Sequence, residues 1–236
     1  MFFVGLHHPN HAFLFPRACI SVLRLRNRKT PFPANDWILD SGAFSTLRQH
    51  GTFLDTPGEY AEAIRRWAGS GRLVAAVTQD YMCEPFMLAR TGLTVADHQV
   101  LTIDRYDQLA AKPLPVPLLP VLQGQTPAQY QTHVRAYGKR LSYGAWVGVG
   151  SVCRRNGTPD DVLAILRAVH DVRPDLRLHG FGVKTTSLAH RSVQAHLYSA
   201  DSMAWSFAAR RDGRGTDANR PEEAMKFVDR IEALIT

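Results

Sequence analysis

The sequence predicts an α/β fold, a single (β/α)8 barrel of the TIM type that takes up residues 1–236 as one domain. Short, continuously apolar runs of β type alternate with amphipathic helical stretches at least six times. Continuous apolar runs are typical of strands buried on both faces of a parallel sheet. No Pro- or Ser-rich linker and no shift in composition divides the chain, which favours one domain.

The candidate strands are short and recur along the whole chain. They are Phe2–Leu6, Trp37–Leu39, Leu73–Val77, Leu118–Leu122, Ala145–Val149, Leu178–Val183 and a weaker run, His196–Ser199. An open, doubly wound sheet shows the same alternation, but it places a Gly-rich phosphate loop after an early strand. No such loop follows Phe2–Leu6 or Trp37–Leu39. Polar residues instead follow several different strands, as they do at the mouth of a barrel, so the barrel is favoured.

Three helix starts share one pattern, a Thr followed by Pro and, two residues later, by an acidic or amide side chain. They are Thr56–Glu59, Thr126–Gln129 and Thr158–Asp161. The hydroxyl caps the first turn, and Pro loses nothing there because its missing amide proton would be unpaired anyway. The first two also offer the reciprocal bond of a capping box. A last helix is expected from Pro221, with one apolar face: Ala224, Phe227, Val228, Ile231 and Leu234.

Charge is unevenly distributed along the chain. Lys and Arg number 28 against 21 acidic residues, a net charge of +7, which favours a polyanionic partner. Residues 1–35 contain no acid but carry Arg17, Arg24, Arg26, Arg28 and Lys29. This stretch is a candidate nucleic-acid surface, with a solvated face as the alternative; an organellar transit peptide would be Ser-rich, and the stretch holds only Ser21. The 45% hydrophobic and 21% charged residues exclude a disordered or collagen-like chain.

The cysteines point to a reducing compartment. Cys19, Cys83 and Cys153 lie far apart with no C-x-x-C spacing, which argues against a zinc finger or a disulfide scaffold. The longest apolar stretch, Leu114–Leu122, is broken by three prolines, so we expect no membrane span. We therefore expect a cytoplasmic protein with no cofactor and no metal, in which Cys83 and Cys153 are core or pocket-wall thiols.

Four polar residues follow strands in the predicted barrel, with glycines beside them: Asp40, Asp80, Gln123 and Asp201. Taken singly, an Asp at a strand end more often caps a helix or turn, and a glycine more often serves a tight turn or close packing. Capping does not require four such residues at different strand ends. Their convergence predicts a pocket at the barrel mouth with room for a flat ligand against bare backbone.

Four motifs in order carry a resemblance to a known family. Asp40–Phe44 reads D-S-G-A-F, Leu122–Gly124 reads L-Q-G, His179–Gly182 reads H-G-F-G, and Ala200–Trp205 reads A-D-S-M-A-W. They resemble the D-S-G-G-F, V-Q-G, H-L-F-G and F-D-S-A-A-Y of the tRNA-guanine transglycosylase superfamily over about residues 37–211. Within it, the chain is most similar to the compact branch called deazapurine DNA modification protein A, which puts 7-deazaguanines into DNA.

The resemblance implies an enzyme that replaces guanine in DNA with a free 7-deazaguanine, such as 7-cyano-7-deazaguanine, through a covalent aspartyl–sugar intermediate. Asp201 is then the nucleophile and Asp40 the general acid/base. Asp80 and Gln123 recognise the edge of the base. The remaining expected substrate contacts come from Ser41, Gly148, Gly150 and His179.

Two departures from the family pattern affect the substrate. Ala43 replaces the second Gly of D-S-G-G-F and Ser45 the usual Gln, which leaves the preferred 7-substituent open. The tRNA enzymes carry a Cys- and His-bound zinc near the C-terminus, but no cysteine follows Cys153 here, so that site is absent and a tRNA substrate is disfavoured. Base exchange in tRNA, hydrolysis of a modified nucleoside and a non-catalytic nucleic-acid-binding barrel are the alternatives.

Basic residues follow several strand ends near the expected pocket. A target base must leave its stack to enter such a pocket, so contacts to the flanking phosphates are needed. The expected contacts are Arg154, Arg155, Lys184, Arg210, Arg211 and Arg214. The expected partners are guanine-containing DNA and the incoming base, while a helper protein that opens the duplex stays an open question. We also place His7 and His8 at the mouth, and interpret Trp205 and Phe207 as core residues rather than base-stacking ones.

Overall fold

The computed structural model describes residues 1–152, 158–213 and 218–235. Nine parallel strands form one sheet in the order β5-β4-β3-β2-β1-β9-β8-β7-β6. They are β1 Phe2–Gly5, β2 Arg17–Ser21, β3 Asp36–Asp40, β4 Arg72–Val77, β5 Leu118–Leu119, β6 Val121–Leu122, β7 Trp146–Val149, β8 Arg177–Gly180 and β9 Ser199–Ser202.

The two ends of this strand order belong to one segment of the chain. Only Pro120 separates β5 from β6, and β5 pairs with β4 while β6 pairs with β7. Pro120 has no amide proton to donate, but its carbonyl accepts a hydrogen bond from Gly148 N at 2.8 Å. The nine strands therefore make a nearly closed barrel with eight positions around its axis, and the predicted TIM-type fold is confirmed.

Helices surround the barrel. They are α1 Ala43–His50, α2 Pro57–Trp67, α3 Pro85–Thr91, α4 Val95–Ala110, α5 Pro127–Tyr137, α6 Pro159–Val172, α7 Thr185–Leu188, α8 Arg191–Gln194, α9 Ala204–Arg211 and α10 Pro221–Ile235. Short 3₁₀ segments occupy Pro9–Leu14, Val22–Arg24 and Gly138–Arg140. Within the three described ranges, none of the helices has the length and apolar character that crossing a bilayer requires.

The predicted helix starts are confirmed. Thr56 with Glu59, and Thr126 with Gln129, form complete capping boxes at α2 and α5. The helix α6 begins at Pro159 as expected, but the predicted hydroxyl cap is wrong there, since the Thr158 side chain makes no capping hydrogen bond and instead donates to the Asp161 carboxylate at 2.6 Å. The last helix begins at Pro221, and Ala224, Phe227 and Ile231 of its predicted face are buried.

Side chains alternate between the inside of the barrel and the layer under the helices. Phe3, Cys19, Ile38 and Val77 belong to one buried cluster, which fills the interior, whereas their neighbours along the strands pack in the outer core. Residues paired in register between parallel strands face the same side. The pairs Phe3 with Asp201 and Ser21 with Asp40 therefore turn both carboxylates inward.

The predicted strands differ from the structure mainly at β2, β8 and β9. Arg17–Ser21 was not predicted, because it holds only three apolar residues and 3₁₀ segments flank it in place of amphipathic helices. The predicted strand His196–Ser199 is wrong, since the amides of His196 and Leu197 close turns after α8. The strand is Ser199–Ser202, so Asp201 lies within it rather than beyond it. The strand predicted over Leu178–Val183 ends at Gly180.

Candidate active site

A cavity of about 520 Å³ opens at the carboxyl ends of the strands. That volume is typical of a small-molecule site. Its walls include five of the residues expected from the sequence: Asp40, Asp80, Gln123, Gly150 and Asp201. The barrel therefore brings together side chains that lie up to 161 positions apart in the chain.

Asp201 is held through one of its two oxygens. Its Oδ1 accepts a hydrogen bond from Gly182 N at 3.0 Å and lies 3.4 Å from Nε2 of His179. Across the three described ranges, the hydrogen bond and the close contact of this carboxylate are both made by Oδ1. The geometry therefore leaves Oδ2 as the oxygen that a ligand in the cavity meets.

His179 lies behind Asp201 and is itself fixed from below. Its ring is fully buried, and Nδ1 lies 2.9 Å from Oγ of Ser199. Ser199 accepts a hydrogen bond from Nε1 of Trp146 at 2.8 Å, an atom that only donates. The Ser199 hydroxyl proton is then available to Nδ1, which favours the tautomer whose Nε2 proton faces Asp201. His179 thus lies beside the carboxylate without lining the cavity, and the 3.4 Å approach of its Nε2 lacks hydrogen-bond geometry.

Asp40 ends β3 and is enclosed by the cavity walls. Its Oδ2 accepts a hydrogen bond from Gly42 N at 3.0 Å, and the Ser21 hydroxyl donates to the same carboxylate. Burial, followed by the negative charge of Asp201, raises the pKa of Asp40 to about 6, against the lowering effect of those hydrogen bonds. A carboxyl group with that pKa can both give and take a proton near neutral pH.

Asp80 and Gln123 form the polar floor of the cavity. The Gln123 Nε2 donates to Oδ2 of Asp80, and its Oε1 lies 2.7 Å from Oγ of Ser151, which fixes the orientation of the amide. Ser151 also accepts from Cys83 N at 3.0 Å and lies 2.9 Å from Oε2 of Glu84. Burial raises the pKa of Asp80 to about 7, although the Gln123 hydrogen bond opposes the shift.

Two glycines make this packing possible. A Cβ on Gly150 would lie 2.2 Å from Nε2 of Gln123, and a Cβ on Gly148 would lie 2.2 Å from the Phe181 ring. Neither contact is tolerable, so both positions need the absence of a side chain. Gly150 lines the cavity, whereas Gly148 lies beneath Phe181 and does not.

The other expected site residues lie around the cavity or outside the described residues. Ser41 is buried beside it but does not line it. Lys184, Arg210 and Arg211 are exposed on segments that follow β8 and β9. Arg154, Arg155, Arg214 and Cys153 lie outside the described residues.

The exposure of each side chain tests the predictions that the aromatic residues of α9 are core residues and that the thiols lie in the core or the pocket wall. Trp205 is buried, and its Nε1 donates to the carbonyl of Gly5 at 2.8 Å, so it is a core residue as predicted. The same prediction is wrong for Phe207, whose side chain is 66% exposed on the outer face of α9. Cys83 is fully buried, and Cys19, which is also buried, lines the cavity.

Sequence reasoning missed several residues of the site, among them Ser21, Arg24 and Ser151, which line the cavity, and Glu84, which contacts Ser151. Ser21 ends β2 and Arg24 follows it, and both were missed because no apolar pattern marks that strand. Glu84 was missed because it lies in the loop after β4. Its one sequence signal is a position directly before Pro85, the first residue of α3.

The fold and the cavity define a TIM-type barrel with an acidic site at its carboxyl-terminal mouth. A family model described as DpdA, DeoxyPurine in DNA protein A, matches residues 2–233. The chain belongs to this family, which supports a role in the 7-deazaguanine modification of DNA and implies DNA as the substrate. A search of curated proteins finds no match.

Asp80→Asn is expected to stabilise the fold at high pH. The pKa of Asp80 is about 7 in the folded protein against about 3.9 in an unfolded chain. The folded state therefore binds more protons between these values, and its stability falls as pH rises through this window. Asn does not titrate, so the Tm of the variant should exceed that of wild type only slightly at pH 4 and by the largest amount above pH 7. Each kcal/mol of difference in the free energy of unfolding corresponds to about 2 to 4 °C in Tm.

Thermal unfolding at pH 4.5 and pH 8 measures this difference. Asp229→Asn, on the exposed side of α10, is the matched control and should show no such pH dependence. An Asp80→Asn effect of the same size at both pH values would contradict the prediction.

Proposed function

We propose that the protein exchanges guanine in DNA for a free 7-deazaguanine base, such as 7-cyano-7-deazaguanine, through an ester between Asp201 and C1′ of the target nucleotide. One observation carries the proposal: Asp40, Asp80 and Asp201, which lie at or just after the carboxyl ends of three different strands, meet with Gln123 at one cavity. Family membership supplies DNA as the substrate. One barrel domain is proposed to carry the whole reaction.

In the first half-reaction, the bond between C1′ and N9 of guanine breaks. Positive charge develops on the sugar, and a nearby carboxylate stabilises it and then captures C1′. Asp201 suits this role because the Gly182 amide holds its Oδ1, which leaves Oδ2 to form the ester. The electron pair of the broken bond leaves with guanine, and Asp40 in its protonated form supplies the proton that the departing base needs.

In the second half-reaction, the incoming base takes the place of guanine. Its N9–H gives a proton to the Asp40 carboxylate, and N9 attacks C1′. The ester bond breaks, and its electron pair returns to Asp201 as a carboxylate. A pKa of about 6 lets Asp40 alternate between the two forms at neutral pH.

Base selection is assigned to Asp80 and Gln123. Guanine and 7-deazaguanines share an edge with several N–H donors, and a buried carboxylate is a good acceptor for them. These donors stabilise the ionised form of Asp80. When no base fills the cavity, that ionised form is disfavoured by burial, which raises the pKa of Asp80 to about 7. A base without the donors would leave Asp80 with the Gln123 hydrogen bond alone, and the missing partner costs about 1–3 kcal/mol.

DNA is proposed to contact the basic side chains that follow the strand ends. Lys184, Arg210 and Arg211 are exposed there; Arg154, Arg155 and Arg214 are proposed from the sequence. Arginine forms bidentate contacts with phosphate, which suits a strand whose target base has left the stack.

The direct test of exchange uses isotope-labelled 7-cyano-7-deazaguanine and guanine-containing DNA. Wild-type protein should incorporate label into DNA, and Asp201→Ala should abolish incorporation because no carboxylate captures C1′. The exposed Asp229→Asn variant should retain activity. Incorporation into tRNA but not DNA would contradict the DNA assignment, and no incorporation into any nucleic acid would contradict the exchange itself.

Asp40→Asn should lower the turnover rate by about 100- to 10,000-fold, the usual contribution of a general acid/base. In wild type, the pH–rate profile should show an ionisation near pH 6, which the variant should lose. The matched control is Asp36→Asn, since Asp36 begins the same strand at the opposite end of the barrel and pairs with Arg72. An Asp40→Asn enzyme with the wild-type rate and profile would rule out this role.

A further inference from the structure

Arg24 lies at the rim of the cavity and contacts His7. It ends the 3₁₀ segment after β2, lines the cavity and is exposed to solvent. Its Nη2 lies 3.1 Å from Nδ1 of His7, the second residue after β1. A guanidinium group only donates hydrogen bonds, so Nδ1 of His7 is the acceptor.

The rest of this hydrogen-bond chain then has a fixed direction. With Nδ1 accepting, the His7 ring proton is on Nε2, which donates to Oγ of Ser206 at 2.7 Å. The Ser206 hydroxyl in turn donates to Oδ1 of Asn219 at 2.9 Å. The His7 ring also packs edge-on against Trp205. Trp205 and Ser206 of α9, with Asn219 behind Ser206, therefore anchor the imidazole that holds Arg24.

His7 stays neutral at physiological pH. Burial, followed by the positive charges of Arg24 and Arg210, lowers its pKa to about 4. The neighbouring His8 also disfavours a charge on the ring. A neutral ring accepts from Arg24 without cancelling its charge.

Among the described residues, no carboxylate forms an ion pair with Arg24. The same is true of Arg210 in the part of the chain that the structure describes. Two residues further on, by contrast, Arg26 pairs with Asp55 at 2.6 Å. The cavity thus has an acidic floor and a cationic rim on the side of β1, β2 and α9.

We infer that Arg24 binds a phosphate of the DNA strand beside the target nucleotide, with His7 as the residue that positions its guanidinium. This inference rests on the proposed base exchange. A nucleotide presents N–H donors on its base and a negative phosphate on its backbone, which matches the acidic floor and the cationic rim. One of the five N–H donors of Arg24 is used by His7, and the others are sufficient for a bidentate phosphate contact.

The first arm of the test compares Arg24→Ala with Arg72→Ala. Arg72 begins β4 at the opposite end of the barrel, so its loss removes the same charge far from the cavity. Arg24→Ala should lower kcat/KM for DNA about 10- to 100-fold and reduce the slope of log affinity against log salt by about one. Arg72→Ala should change kcat/KM by less than twofold.

The second arm replaces single phosphates on either side of the target guanine with neutral methylphosphonates. One of these replacements should weaken the wild-type reaction about as much as Arg24→Ala does, and should have no further effect in the Arg24→Ala background. His7→Ala should lose part of the activity that Arg24→Ala loses. Adding His7→Ala to Arg24→Ala should lower the activity no further. A methylphosphonate effect of equal size in wild type and Arg24→Ala would overturn the inference.

DNA binding by fluorescence anisotropy, without the incoming base, separates this inference from the proposed function. If wild type incorporates no label, base exchange fails, yet a selective loss of DNA binding in Arg24→Ala still supports the phosphate contact. If Arg24→Ala binds DNA as wild type does, the contact is wrong even when exchange proceeds. The contact would also be contradicted if free phosphate at low millimolar concentration competed with DNA equally well in Arg24→Ala and in wild type.

Discussion

Closure of the barrel at residues 118–122 is the constraint on which the site depends. This one segment pairs with β4 on one side and with β7 on the other, and Pro120 interrupts it without opening the ring. Because all the strands are parallel, closure gathers their carboxyl ends at one mouth. An open sheet with the same strands would leave Asp80 and Gln123 at opposite edges, whereas in the closed ring they share a hydrogen bond.

Enclosing several carboxylates in one cavity disfavours their charged forms. Asp40 and Asp80 are both raised in pKa, chiefly by burial, so each is poised near neutral pH instead of being permanently charged. Asp201 differs in its surroundings, because a backbone amide and the His179 ring face its Oδ1. The three side chains therefore have different surroundings, as the proposed roles of nucleophile, proton carrier and base-recognising acceptor require.

The sequence predicts the fold and the cavity floor well, because both follow from local patterns. Continuous apolar runs mark most strands, and capping motifs mark α2 and α5. The rim was less predictable. The strand β2 has too few apolar residues to stand out, so Ser21 and Arg24 had no visible place in the site. The hydrogen bonds of His7 to Arg24 and Ser206 join residues up to 199 positions apart, and no sequence spacing encodes such contacts.

The central claim is that Asp201 becomes covalently bonded to the sugar of a DNA nucleotide. The most direct measurement is intact-mass analysis, under denaturing conditions, of the protein mixed with a guanine-containing oligonucleotide. We expect wild type to yield an adduct with the mass of protein plus DNA less guanine, mapped to Asp201, and Asp201→Ala to yield none. An adduct that persists in Asp201→Ala, or exchange that proceeds in wild type with no adduct at any time point, would contradict the account.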